Sequence, residues 1–134
     1  MIGIVVASHS APLAEAAREL ALQMVAKNPP TLELAAGTAD GGLGTDAEKI
    51  VDAVQRADSG DGVVVLMDLG SAVMSAEMAV EMLDPELAER TQLSPAPLVE
   101  GLVVAAVTAA SGADLDRVDS EARGGLRPKE KHLG

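Results

Sequence analysis

The chain has 134 residues, 48% of them hydrophobic, which is enough for one domain with a substantial core. A net charge of -11 and the lack of Phe, Tyr and Trp argue against a nucleic-acid partner, because there is neither a basic face nor a stacking surface. The lack of cysteine excludes disulfides, thiolate metal sites and thiol catalysis. We expect a cytoplasmic protein without membrane insertion, because there is no basic leader and no apolar run of spanning length.

The first segment is an apolar run that stops at a histidine between two serines. Residues 2–7 are continuously apolar and rich in β-branched side chains, which is typical of a strand buried on both faces. The apolar residues then recur at steps of three and four, which predicts a helix capped by Ser10 with Pro12 in its first turn. His9 therefore lies at a strand-to-helix turn, where α/β sheets bind ligands and helix N-termini attract anions. It is a candidate phosphoryl nucleophile; the alternative is that Ser8, His9 and Ser10 only cap the helix.

The second segment is a short strand followed by a glycine-rich loop. We predict that the first helix ends near residues 26–28, because Pro29-Pro30 forbids continuation. Residues 31–36 are predicted to form the second strand. The loop over residues 37–44 contains four glycines but lacks the lysine of an ATPase phosphate loop, so a flexible connector is the simpler interpretation.

A second buried strand also stops at a polar residue. Thr45 and Glu48 have the spacing of a capping box, which predicts a second helix. Residues 63–67 then form a continuous apolar run that stops at Asp68, as the first run stops at His9. Taken alone, Asp68 would be interpreted as a helix cap.

A third helix, starting near residue 70, is predicted to be apolar over much of its circumference. Met74, Met78 and Met82 recur at the four-residue spacing of a buried stripe, so we expect them to pack in the core and assign them no cofactor role. Asp84-Pro85 ends this helix, and residues 91–94 are a candidate edge strand.

The C-terminal part contains an unusually apolar helix. Residues 98–110 contain one ionisable side chain, Glu100, so this helix is either deeply buried or packed against a second subunit, and we predict a homodimer. A short helix is predicted for residues 114–122. Residues 123–134 are polar and broken by Gly and Pro, which predicts a domain over residues 1–122 and a flexible tail beyond it.

The alternation of strands and helices predicts an α/β fold, a three-layer sandwich around a mainly parallel four-stranded sheet of order 2-1-3-4. In that order His9 and Asp68 end neighbouring strands. A carboxylate on Nδ1 would fix the tautomer, leave Nε2 free to attack phosphorus and offset the developing charge. The predicted phosphoryl-binding groups are the hydroxyls and helix-start N–H groups of Ser8, Ser10, Gly70 and Ser71. No Lys or Arg lies near either motif in the sequence, which favours a carrier that must release its phosphoryl group.

Four sequence blocks, in this order and spacing, resemble the phosphotransferase subunit of the phosphoenolpyruvate-dependent dihydroxyacetone kinases, which is similar to mannose-type IIA domains. The blocks are Gly3–Ser10, Ala36-Gly37 with Leu43–Ala47, Met67–Ala72, and Ala96–Gly101. The resemblance extends to about residue 122. It implies a phosphotransferase with a mannose IIA-type sheet, and a dimer.

In that family, a histidine at the end of the first strand accepts a phosphoryl group from the phosphocarrier HPr and passes it to ADP bound in the kinase's nucleotide subunit. The resemblance places this histidine at His9 and the supporting aspartate at Asp68. Some relatives continue into HPr-like and enzyme I-like domains, so for this shorter chain we expect a separate HPr as donor. Two alternatives stay open: a sugar-transport IIA domain that delivers to a IIB protein, and a non-catalytic regulatory module. We predict no cofactor and no metal ion.

Overall fold

The computed structural model describes all 134 residues and alternates strands with helices along most of the chain. The elements are β1 (Gly3–Ser8), α1 (Ala11–Gln23), β2 (Leu32–Ala36), α2 (Ala47–Ala57), β3 (Val63–Met67), α3 (Gly70–Met82), α4 (Pro85–Glu89), β4 (Thr91–Ser94), α5 (Leu98–Ala110), α6 (Leu115–Arg123), a 3-10 turn (Gly124–Leu126) and α7 (Arg127–Leu133). The predicted α/β class is confirmed.

The four strands form one parallel sheet in the order β2-β1-β3-β4, as predicted. In the register, Ala7 of β1 lies opposite Ala35 of β2 and Met67 of β3. Since parallel strands end at the same edge, His9 and Asp68 leave the sheet side by side.

The sheet separates two hydrophobic cores because successive side chains of a strand point to opposite faces. Ile4 and Val6 of β1 pack in the core shared with α1, α5 and α6. Val5 and Ala7 pack in the core shared with α2, α3 and α4. β1 is buried on both faces, as its continuous apolar run predicted.

We expect Gly3→Ala to lower the free energy of unfolding by roughly 3 kcal/mol, because overpacking against backbone has no cheap relief. A Cβ at Gly3 would lie 2.1 Å from the carbonyl oxygen of Ala57, where α2 ends against β1. Gly70→Ala is the matched control, since a Cβ there meets nothing within 4 Å. Chemical denaturation of both variants tests this prediction. Equal denaturation midpoints for the two variants would show that α2 can shift away from the sheet and make room for the Cβ.

The N-terminus of α2 differs from the predicted capping box. Asp46, not Thr45, is the capping residue, and its carboxylate accepts from the Glu48 amide at 2.9 Å. The Thr45 hydroxyl instead lies 2.7 Å from the hydroxyl of Ser75 in α3. Thr45 therefore joins two helices rather than capping one.

The prediction that the α3 methionines pack in the core is wrong. Met74, Met78 and Met82 are 67%, 57% and 51% exposed. The buried face of the helix is formed by three small residues, Ala72, Ala76 and Ala79. Both stripes recur at helical spacing, and the alanine stripe faces the sheet because small side chains allow the helix to approach it closely.

Residues 123–134 differ from the predicted flexible tail, since they continue α6 into the 3-10 turn and α7. Gly125 passes so close to α5 that an added Cβ would lie 3.1 Å from the Glu100 backbone. Lys129 Nζ donates to Glu100 Oε2 at 2.7 Å. Pro128 falls in the first turn of α7, where proline is tolerated.

Candidate functional site

The site begins where β1 leaves the sheet and the chain turns into α1. Ser10 caps α1 as predicted, its hydroxyl accepting from the Leu13 amide at 3.3 Å. The glycine-rich loop holds this turn from the other side: the Gly37 amide donates to the Ser8 carbonyl at 3.1 Å and the Gly44 amide to the His9 carbonyl at 2.9 Å. The backbone of His9 is therefore fixed by the strand, by the helix cap and by the loop.

Asp68, at the end of β3, contacts both the ring and the backbone of His9. Its Oδ1 lies 2.9 Å from His9 Nδ1 and accepts from the Leu69 amide at 2.7 Å. Its Oδ2 accepts from the His9 amide at 2.9 Å and from the Ser8 hydroxyl at 2.9 Å. Each carboxylate oxygen thus has two partners, and the side chain is only 8% exposed.

The surroundings of Asp68 keep it ionised. Burial would raise the pKa of its carboxyl, but hydrogen bonds from the His9 amide, the His9 ring, Ser8 and Leu69 outweigh burial and hold the pKa below its ordinary value. An ionised carboxylate only accepts hydrogen bonds, so the neutral imidazole carries its proton on Nδ1 and its lone pair on Nε2.

The Nε2 atom of His9 faces the start of α3, where it contacts Ser71 Oγ. The side chain of Leu69, which precedes α3, makes no capping hydrogen bond, so the first N–H groups of the helix have no side-chain partner. Gly70 borders open space at this point. Helix N-termini with free N–H groups stabilise anions, so a phosphoryl group on Nε2 would lie against suitable donors.

The four predicted phosphoryl-binding residues do not all lie near Nε2 of His9. Gly70 and Ser71 lie at Nε2, whereas Ser8 is fully buried and its hydroxyl is hydrogen-bonded to Asp68 and Ser10. The hydroxyl of Ser10 is engaged in capping α1. Ser8 therefore supports Asp68, and Ser10 supports the turn.

The site is an open surface rather than a ligand pocket. None of the three surface cavities is lined by His9, Asp68 or Ser71. No Lys or Arg side chain is hydrogen-bonded to His9, Asp68 or Ser71. A small phosphorylated substrate would need a pocket and cationic side chains at the site, whereas a protein partner brings its own binding surface.

The EIIA-man family model, described as "PTS system fructose IIA component", matches residues 3–119. The chain belongs to the EIIA-man family. Its α/β sheet, with the histidine at the end of β1, agrees with the resemblance found in the sequence.

Curated relatives of this EIIA-man domain carry kinase-subunit names. It is 45% identical over 136 residues to the "PEP-dependent dihydroxyacetone kinase, phosphoryl donor subunit DhaM" of Escherichia coli K12, covering all of this chain and 29% of that protein. It is 42% identical over 107 residues to "PEP-dependent dihydroxyacetone kinase 2, phosphoryl donor subunit DhaM" of Listeria innocua, covering 80% of this chain and 85% of that protein. The predicted resemblance is confirmed, and the chain spans less than a third of the Escherichia coli relative.

Among solved structures, the domain is similar to one described as "Crystal structure of unknown function protein EF1359". The two are 37% identical with a TM-score of 0.80, covering 92% of this chain and 93% of the other. None of the helices in our structure has the length and apolar character needed to span a membrane.

Two parts of the EIIA-man site escaped the sequence analysis. The loop over residues 37–44 was interpreted as a connector, yet it holds the His9 carbonyl. Thr45 contacts Ser75 and donates to the Ser71 carbonyl at 3.4 Å, which ties α2 to the start of α3. Gly37, Gly44 and Thr45 all lie in the second block of the resemblance, so the block itself was the available signal.

Proposed function

We propose that this domain is a phosphohistidine carrier that accepts a phosphoryl group from HPr on Nε2 of His9. It then transfers the group to ADP bound in the nucleotide subunit of a dihydroxyacetone kinase. The observation that carries the proposal is the contact between Asp68 Oδ1 and His9 Nδ1, which leaves Nε2 as the nucleophile at the protein surface.

The chemistry needs two displacements at phosphorus. The Nε2 lone pair attacks the phosphorus of the phosphorylated donor, and the bond from phosphorus to the donor breaks with its electron pair returning to the donor. An oxygen of the ADP β-phosphate then attacks the same phosphorus, and the P–N bond breaks with its electrons returning to Nε2. Asp68 offsets the positive charge on the ring during both steps, and Ser71 with the α3 N–H groups stabilises the transferred oxygens.

The names of the relatives support the kinase as destination, since both are called phosphoryl donor subunits of dihydroxyacetone kinase. The family description, a fructose IIA component, favours the second candidate, a sugar-transport IIA domain that delivers to a IIB protein. Both candidates use the same histidine and differ only in the acceptor.

We expect the phosphorylated protein to be stable to ADP alone and to discharge when ADP and the nucleotide subunit are added together. The chain has no ATPase-type phosphate loop and no aromatic side chain, so ADP must arrive with the partner. The measurement is the loss of ³²P label after charging with phosphoenolpyruvate, enzyme I and HPr. Discharge to a IIB protein but not to the kinase subunit would assign the domain to sugar transport.

We also propose that the domain is a homodimer that pairs through α5. Val99 and Val107 of this helix are 42% and 47% exposed, and its single ionisable residue, Glu100, is paired with Lys129. The outward face is thus apolar and free of unpaired charge, as dimer interfaces are at their centre. Sedimentation velocity is expected to give a dimer that Val107→Glu converts to a monomer; a monomeric wild-type protein would overturn this.

A further inference from the structure

The outward face of α3 carries an exposed apolar stripe that starts at the reactive histidine. Ser71, Met74, Met78 and Met82 follow one another at steps of three, four and four residues, so they share one helix face. All four are exposed, and Ser71 is the residue that contacts His9 Nε2. The methionines therefore continue the phosphoryl site along the surface.

The apolar residue that precedes the stripe enlarges it. Leu69, between Asp68 and the helix, is 67% exposed. Monomeric proteins rarely expose contiguous apolar patches of this kind unless the patch binds something. Methionine is flexible and polarisable, and it is common on surfaces that must fit a partner.

The dimensions of α3 place this stripe under any protein that reaches Nε2. A standard interface covers roughly 800 Å² per partner, which is a disc of about 16 Å radius. At 1.5 Å per residue, Met74, Met78 and Met82 lie roughly 5, 11 and 17 Å along the helix from Ser71. Met74 and Met78 fall within such a footprint, and Met82 lies at its margin.

The charges on α3 argue against a second copy of this chain as the occupant. The only ionisable residues of the helix are Glu77 and Glu81, both exposed, so two copies paired through α3 would bring like charges together. The chain as a whole carries a net charge of -11. A phosphoryl group that approaches this surface is repelled unless its carrier supplies positive charge.

We propose that Leu69, Met74 and Met78 form the docking surface for the protein that delivers the phosphoryl group to His9. The chemistry of that surface requires a partner with an apolar patch bordered by Lys or Arg side chains. This inference rests on the proposed function and names the surface through which its donor binds.

The test compares a protein donor with a small one. We expect Met74→Gln/Met78→Gln to lower the kcat/KM for phosphorylation by phosphorylated HPr at least tenfold, because central apolar contacts dominate interface energies. Labelling of His9 by phosphoramidate, which needs no docking, should stay within twofold of wild type. Met24→Gln, at an equally exposed methionine after the end of α1, is the matched control and should match wild type with both donors.

Charge reversal gives a second readout. Glu77→Lys/Glu81→Lys is expected to slow phosphorylation by HPr at low ionic strength, with a smaller deficit at high salt, because exposed charges are screened. A single Met82→Gln substitution should have a smaller effect than Met74→Gln, since Met82 lies at the margin.

The outcomes separate the two proposals. If HPr labels the wild-type protein and a methionine variant equally fast, that result overturns the docking surface and leaves the phosphohistidine carrier intact. Unchanged rates together with a change in oligomeric state would assign the stripe to contacts between copies. Wild-type protein that takes no label on His9 from either source overturns the proposed function, and the docking surface with it.

Discussion

His9→Ala is expected to take up no phosphoryl group from HPr and to remain folded. The variant removes the only Nε2 atom that faces the start of α3. Its effect on the fold should be small, because Asp68 keeps its hydrogen bonds from the Ser8 hydroxyl and from the amides of residue 9 and Leu69. The measurement is incorporation of ³²P from phosphoenolpyruvate, enzyme I and HPr, with circular dichroism as the check on folding.

The second histidine of the chain provides a matched control. His132 lies in α7, which has no buried residue, so His132→Ala should be labelled as fast and as fully as wild type. The label on wild-type protein should be lost in mild acid, as expected for a phosphoramidate bond. Label that persists in His9→Ala, or that survives acid as a phosphoserine would, refutes the mechanism.

The sheet and the contact between His9 and Asp68 were predictable from the two apolar runs and the strand order. Residues 2–7 and 63–67 are apolar at every position, short and rich in β-branched side chains, which is the pattern of a strand buried on both faces. Each run stops at a polar residue, and the common strand order brings the two ends together. The contact between His9 and Asp68 then follows from topology rather than from sequence proximity.

The roles of the serines were less predictable, because a hydroxyl's direction depends on its surroundings in the fold. Ser8, Ser10 and Ser71 all lie within three residues of His9 or Asp68. Ser8 points into the sheet toward Asp68, and only Ser71 reaches Nε2.

Helix α3 shows a second limit of sequence analysis. Its alanines and its methionines both recur at helical spacing, so periodicity alone does not identify the face that packs on the sheet. Hydrophobicity alone would place the methionines against the sheet. The alanines pack there instead, because their smaller side chains allow closer contact. An apolar stripe on the solvent-exposed face of a helix therefore indicates a binding surface rather than a contact within the core.

Asp68→Asn is expected to slow phosphoryl transfer roughly a hundredfold or more, which corresponds to about 3 kcal/mol of lost transition-state stabilisation. An amide is neutral, so it does not offset the charge that develops on the ring. It also does not fit the hydrogen bonds, because each carboxylate oxygen accepts from one backbone amide and one side chain. If the NH₂ group replaces Oδ1, it faces Nδ1 and favours the tautomer with its proton on Nε2, which blocks the nucleophile.

The measurement for Asp68→Asn is a single-turnover rate with phosphorylated HPr, together with the ¹⁵N shifts that report the His9 tautomer. Asp58→Asn is the matched control: Asp58 pairs with Arg90 at 2.6 Å, where α2 ends, so its loss should lower stability and leave the transfer rate unchanged. Since the pKa of Asp68 is held below its ordinary value, the carboxylate is charged throughout the neutral range, so protonation of Asp68 itself contributes nothing to the pH dependence of the wild-type rate there. A rate equal to wild type would reduce Asp68 to a structural residue that ends β3, and the nucleophilicity of His9 would then need another source.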